Sequence, residues 1–206
     1  MTEISKSTIE AIRNEYRDIC EMITPNVKIK RLKPRPGSLC LWEFTVNVPT
    51  YYITGGLDII PKKTNSIVFY LDILNGFPKV KPRVYYKSSK ILASVNVFTS
   101  GTQCIDNWHY DPENAGKSST LEGTVRKTLM DIIHDPSVTR FESMANKNLE
   151  VWQRRMYSSG KFPSCSINDV IRPDEYVRPG IIHPELPHKK SVARAGLIPP
   201  AMPVRR

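Results

Sequence analysis

The spacing of apolar positions divides the chain into a helical start, a β-rich middle and a helical close. Ile9, Ile12, Tyr16, Ile19 and Ile23 recur at three- and four-residue intervals, the period of one helix face. Ser7 and Glu10 have the spacing of a capping box at its start, and Pro25 ends it. Arg13 and Arg17 fall on the opposite, solvent-facing side. Leu39 to Val48 and Ile67 to Ile73 have the β-branched and aromatic content of strands, and Val84 to Tyr86 begins a third after a proline-containing stretch. With a turn at Gly55-Gly56, this spacing predicts an antiparallel meander. Residues 87–117 hold no strong period, as expected of a long functional segment. Helical spacing resumes with Leu121, Val125, Leu129 and Ile132, behind a second capping-box pattern at Ser119 and Glu122. Phe141, Met144, Leu149, Trp152 and Met156 predict a further helix after Asp135-Pro136. The order implies an α+β domain.

From about Ser158 the composition changes. Eight of the 17 prolines lie in residues 158–206, which favours extended chain over a second domain. The expected division is therefore a domain over 1–157 and a basic, proline-rich arm over 158–206. The formal charge is +10, of which residues 154–206 carry +6, so the excess is largely a property of the arm. That charge raises the question of nucleic acid, but after Phe162 the arm has only Tyr176 for base stacking and no recognised binding motif. No nucleic-acid partner is expected. No apolar run approaches the roughly 20 residues that span a bilayer, and the first residues are too polar for a secretory leader. A cytoplasmic protein without a membrane partner is expected.

Cys20, Cys40, Cys104 and Cys165 are scattered and form no C-x-x-C pair, which argues against a disulfide framework or a zinc site. Cys20 and Cys40 sit in apolar helix and strand patterns and read as small core residues. Cys165, in the arm, reads as an incidental exposed thiol. Cys104 differs, because Gly101, Thr102, Gln103 and Asp106 around it are poor core company.

The run Asn96-Val97-Phe98-Thr99-Ser100-Gly101-Thr102-Gln103-Cys104-Ile105-Asp106 resembles the active-site segment of ubiquitin-conjugating enzymes. In that family an asparagine precedes the catalytic cysteine by eight residues and a glycine by three, as Asn96 and Gly101 precede Cys104. An apolar residue and often Asp follow, as do Ile105 and Asp106. Phe77 to Val84 resembles the family's proline-rich turn, Trp108 its downstream tryptophan and Asp135-Pro136 the dipeptide after its next helix. In element order the resemblance covers roughly residues 5–157. The departures are specific. Ser94 and Val95 stand where the family has His and Pro, Lys81 replaces the first proline of a pair, and Thr139 and Arg140 occupy positions that are often acidic. They point to a divergent member, such as one from a bacterial ubiquitin-like pathway.

The resemblance implies a UBC-like fold, with N-terminal helix, meander, active-site segment, C-terminal helices and tail. It implies that Cys104 accepts a ubiquitin-like modifier as a thioester from an activating enzyme and passes it to a lysine amine. Asn96 would stabilise the oxyanion that develops, and Asp106, His109 or Asp111 would assist loss of the amine's proton. Arg13 and Arg17 would meet the activating enzyme, and a ligase or target protein would be a further partner. No cofactor and no metal is implied. The alternative is an inactive binding module of the same fold, which loss of the His, the Pro and the later acid would favour.

Overall fold

The computed structural model describes residues 4–55, 59–105, 108–110 and 120–173. Helix α1 (Lys6–Met22) is followed by strands β1 (Val27–Leu32), β2 (Ser38–Val46), β3 (Thr50–Ile53), β4 (Lys62–Thr64), β5 (Ile67–Leu74), β6 (Arg83–Tyr86) and β7 (Ile91–Leu92). Helices α2 (Leu121–Ile132) and α3 (Glu150–Ser159) close the order, with short 3-10 turns between and after them. The α+β class is as expected. Among the described residues no helix is long and apolar enough to cross a membrane.

The main sheet is antiparallel throughout, in the order β1-β2-β5-β6. The three strands read from the sequence thus lie side by side in it. Alternation puts Trp42, Phe44 and Val46 on the same face as Leu71, Phe69 and Ile67, their register partners. Phe44 and Phe69 stack with centroids 4.5 Å apart. Tyr86 pairs with Phe69 and Val84 with Leu71, which carries the apolar face onto β6. A second sheet, β4-β3-β7, is built from the two strands between β2 and β5 in sequence and from β7, which follows β6. β1, β3, β4 and β7 are not among the strands the sequence predicts.

The first helix buries Ile12, Glu15, Ile19 and Met22, while Ile9 stays exposed. Its cap is Ser5, whose hydroxyl accepts the Thr8 N–H, two residues ahead of the predicted Ser7–Glu10 box. Helix α2 buries the predicted stripe of Leu121, Val125, Leu129 and Ile132 completely. Its cap is Thr120, which accepts the Gly123 N–H at 2.9 Å, and Glu122 turns instead to Arg126; Ser119, expected to begin the box, lies outside the described residues. Glu15 joins the two helices by accepting the Glu122 N–H at 2.9 Å, one of the free donors of a helix start.

The boundary expected at Ser158 falls too early. The compact unit runs through Asp174. Phe162 stacks on His134 at 4.2 Å, and Val170 and Ile171 are buried. Ile171 bridges to Ile23, and Arg172 donates its N–H to the Met22 carbonyl at the end of α1. The physical reason is that apolar residues spaced widely among prolines still fill separate gaps in a core. Residues 174–206, the greater part of the expected arm, lie outside the described residues.

Candidate functional site

Residues 94–104 form a segment tied down on every side. Val97 and Gln103 bridge across a tight turn, in which Phe98 N–H meets the Thr102 carbonyl and Gly101 N–H the Phe98 carbonyl, each at 2.8 Å. Gly101 has φ 86°, and a Cβ there would stand 2.8 Å from the Tyr86 carbonyl oxygen. The close approach lets the Gly101 carbonyl accept the Tyr86 N–H at 2.8 Å, while Gln103 N–H reaches Val84 at 2.9 Å. The turn is thereby docked on β6. At its far end the Cys104 N–H donates to the Asn96 carbonyl at 2.8 Å. Cys104 is a free, half-buried thiol.

The other cysteines are half-buried as well, so exposure alone does not single out Cys104. Burial pushes the Cys40 thiol up from its ordinary range. It does the same to Cys165, which the nearby Asp169 raises further. Both are poorer sources of thiolate for it. Cys165 is not the exposed thiol expected from the sequence, since it packs against the core and donates to the Pro49 carbonyl at 3.5 Å.

Asn96 is buried, and its side chain is fully engaged. Its amide donates to Asp131 Oδ1 at 3.1 Å and to the Val138 carbonyl at 3.0 Å, and its Oδ1 accepts the Arg140 N–H at 3.4 Å. Both amide hydrogens are thus already in use, and the loop carrying Thr139 and Arg140 lies against Asn96. Ser94, at the position where His would stand in the resembled motif, donates to Asp131 Oδ1 at 2.7 Å. Val95 gives its N–H to Gln153 of α3 at 2.9 Å, and its carbonyl accepts from Ala145 and Asn146. Gln103 bridges two further groups. Its Oε1 accepts from the Tyr86 hydroxyl at 3.3 Å and its Nε2 faces Asp131 Oδ2 at 3.5 Å.

Asp131 and Gln103 are the members of this site that the sequence reading missed. Asp131 is a carboxylate between Met130 and Ile132 in sequence, on a helix that also buries Thr124 and Thr128, so the only signal that marks it is a charge within the last apolar turn. Burial raises its pKa from 3.8 to about 6, against the lowering effects of the Ser94 and Asn96 hydrogen bonds and of Lys127.

Trp108 donates its indole N–H to the Pro78 carbonyl at 2.7 Å, and Phe77, Trp108 and Tyr110 cluster their rings. The chain beyond Cys104 is thus brought against the Phe77-Pro78 turn. His109 is exposed. Asp106 and Asp111 lie outside the described residues. Arg13 and Arg17 are exposed on α1, and Arg17 pairs with Asp18 at 3.6 Å. Arg13 borders a cavity of about 330 Å³ walled by Ile9, Leu39, Cys40 and Trp42. Both lie on α1, whereas the Cys104 segment is docked on β6. Among the described residues no cluster of three or more His, Cys, Asp or Glu is placed to hold a metal.

No family model matches the chain, and no curated protein matches it. Among solved structures, that of S. cerevisiae Ubc12 aligns with 74% of this chain and 74% of its own, at 18% identity and a TM-score of 0.46.

Proposed function

We propose that this chain is a ubiquitin-like-protein conjugating enzyme of UBC-like fold, working in the cytosol. The Cys104 thiolate attacks the modifier's C-terminal carbonyl, held as a thioester on an activating enzyme, and that enzyme's thiolate leaves. A target lysine amine then attacks the new thioester. An amide bond forms, the Cys104 thiolate leaves, and the amine's proton passes to a base, for which Asp106 is the proposed group. The observation that carries the reading is the half-buried free thiol of Cys104 at the end of a turn locked to β6, with its N–H on the Asn96 carbonyl. Arg13 and Arg17, exposed on α1, are the proposed contact with the activating enzyme.

In this reading Asn96 is a positioning residue. The oxyanion role that the resemblance implies requires it to give up a bond to Asp131 or to Val138. The same engagement favours a second reading, a binding module of this fold without transfer activity. One experiment separates the two. Incubated with activating enzyme, modifier and ATP, the chain is expected to gain one modifier in an adduct that thiol reductant removes. Cys104→Ala should abolish the adduct, while Cys20→Ala and Cys165→Ala keep it. A labile adduct that survives Cys104→Ala removes the assignment, and absence of any adduct on the folded wild-type chain favours the binding module.

A further inference from the structure

We propose that Asp131 is the positioning residue of the Cys104 segment: one buried carboxylate collects Ser94, Asn96 and Gln103, and its charge sets how readily that segment opens. Two of the three donors sit at the start of the segment and the third adjoins Cys104. The Asn96 whose amide reaches Asp131 also holds the Cys104 N–H on its backbone carbonyl. A motion that frees Cys104 from Asn96 therefore disturbs the ligation of Asp131.

The direction of the charge effect follows from burial. Asp131 is fully enclosed, and the groups that act on it are Lys127 on its own helix, Tyr86 on β6 and Tyr157 on α3. Desolvation outweighs the hydrogen bonds and raises the pKa to about 6. When the segment opens, water reaches the carboxylate and its pKa falls toward the ordinary 3.8. The closed segment therefore holds its proton more tightly than the open one. Below pH 6 the proton favours closure, and at neutral pH the buried charge favours opening.

The bearing of this on catalysis rests on the proposed role of Cys104, whereas the effect on the segment does not. Amide exchange of peptides spanning residues 94–104, in the full chain, reads it without any pathway component. After correction for intrinsic exchange, wild-type protection is expected to rise about tenfold or more from pH 7.5 to pH 5, relative to peptides of β2 and β5. Asp131→Asn should flatten that profile. A flat wild-type profile overturns the proposal, as does a profile unchanged in Asp131→Asn. Should Asp131→Asn fail to fold, Ser94→Ala decides. It removes a bond that lowers the carboxyl's pKa, so the midpoint should move to higher pH, and an unmoved midpoint overturns the proposal. A chain that forms no thioester but shows the expected exchange profile loses the proposed function and keeps this role for Asp131.

Discussion

Removing residues 158–206 is expected to unfold the protein at temperatures where removing residues 174–206 leaves it folded. The shorter chain loses Val170 and Ile171, both buried, and Phe162, whose ring meets those of His134, Tyr51, Trp152 and Tyr157. At roughly 1.5–3 kcal/mol for each large apolar side chain taken from water, the loss for the three is about 4.5–9 kcal/mol. The whole stability of a domain is only about 5–15 kcal/mol. Hydrogen bonds go as well. Thr24 Oγ1 and Asn26 Nδ2 both donate to the Asp169 carbonyl, at 2.6 and 2.9 Å, and Thr24 N–H donates to Val170 at 3.2 Å. These bonds close the turn between α1 and β1, where the chain enters the main sheet. Thermal melting of the two truncations beside the full chain checks the expectation. A drop of about 10–20 °C or complete loss of the transition is expected for the shorter chain. Equal melting of the two would show that residues 158–173 add nothing to the fold.

That stretch shows where reading the sequence stops working. A period is visible only when several side chains of one element face the same way, as in the buried stripe of α2 or the Trp42-Phe44-Val46 row of β2. Phe162, Val170 and Ile171 each fill a separate gap, so their contacts leave no period, and the prolines among them suggested an arm. β1 was lost for a related reason. It is an edge strand whose Lys28 and Lys30 are exposed, and with Arg31 they put a charge at three of its six positions, beside Val27, Ile29 and Leu32. Charge of that kind reads as loop. β3, β4 and β7 are two to four residues long, too short for alternation to show.

The candidate site divides in the same way. The backbone features around Cys104 were legible, because Gly101 and Asn96 are residue types that a tight turn selects and their spacing is local. Asp131 was not. Its partners lie 28 to 37 residues away in sequence, and only the packing of α2 under the segment brings them together. The two hydrogen bonds that commit the Asn96 amide are equally non-local, which is why an oxyanion role could be assigned to it from the sequence alone.

Two buried groups on neighbouring turns are expected to give the chain opposing pH dependences that single substitutions separate. His134 stands three residues after Asp131, in a left-handed conformation with φ 56°. Thr50 Oγ1 donates to the Ile132 carbonyl at 2.6 Å, so its oxygen is left to accept from His134 Nε2 at 3.2 Å. That fixes the proton on Nε2 and leaves Nδ1 buried without a partner, among the rings of Phe162, Trp152 and Tyr51. A second proton would go to Nδ1, where nothing accepts it, and burial accordingly lowers the pKa from 6.5 to about 3. The folded value is depressed, so the unfolded chain binds the proton first. His134 thus costs stability as pH falls below 6.5, to roughly 5 kcal/mol by pH 3. Asp131 has the reverse sign. Its folded value is raised, so its contribution is present below pH 3.8 and is lost as pH climbs through 6, a change of roughly 3 kcal/mol. Glu15, raised chiefly by its burial, adds to the Asp131 direction. Between about pH 4 and 6.5 the two larger effects nearly cancel in the wild-type chain. In His134→Asn, a residue that tolerates the left-handed backbone, stability should rise as pH falls through this window. In Asp131→Asn it should fall by roughly 2 kcal/mol more than in the wild type across this window. Urea unfolding of the three chains at pH 4, 5, 6 and 7 measures the slopes, and the comparison is of slopes, so the fixed cost of each substitution drops out. Parallel curves for the wild type and His134→Asn would mean that the imidazole is hydrated or partnered in the folded protein, and that the aromatic box around it is open.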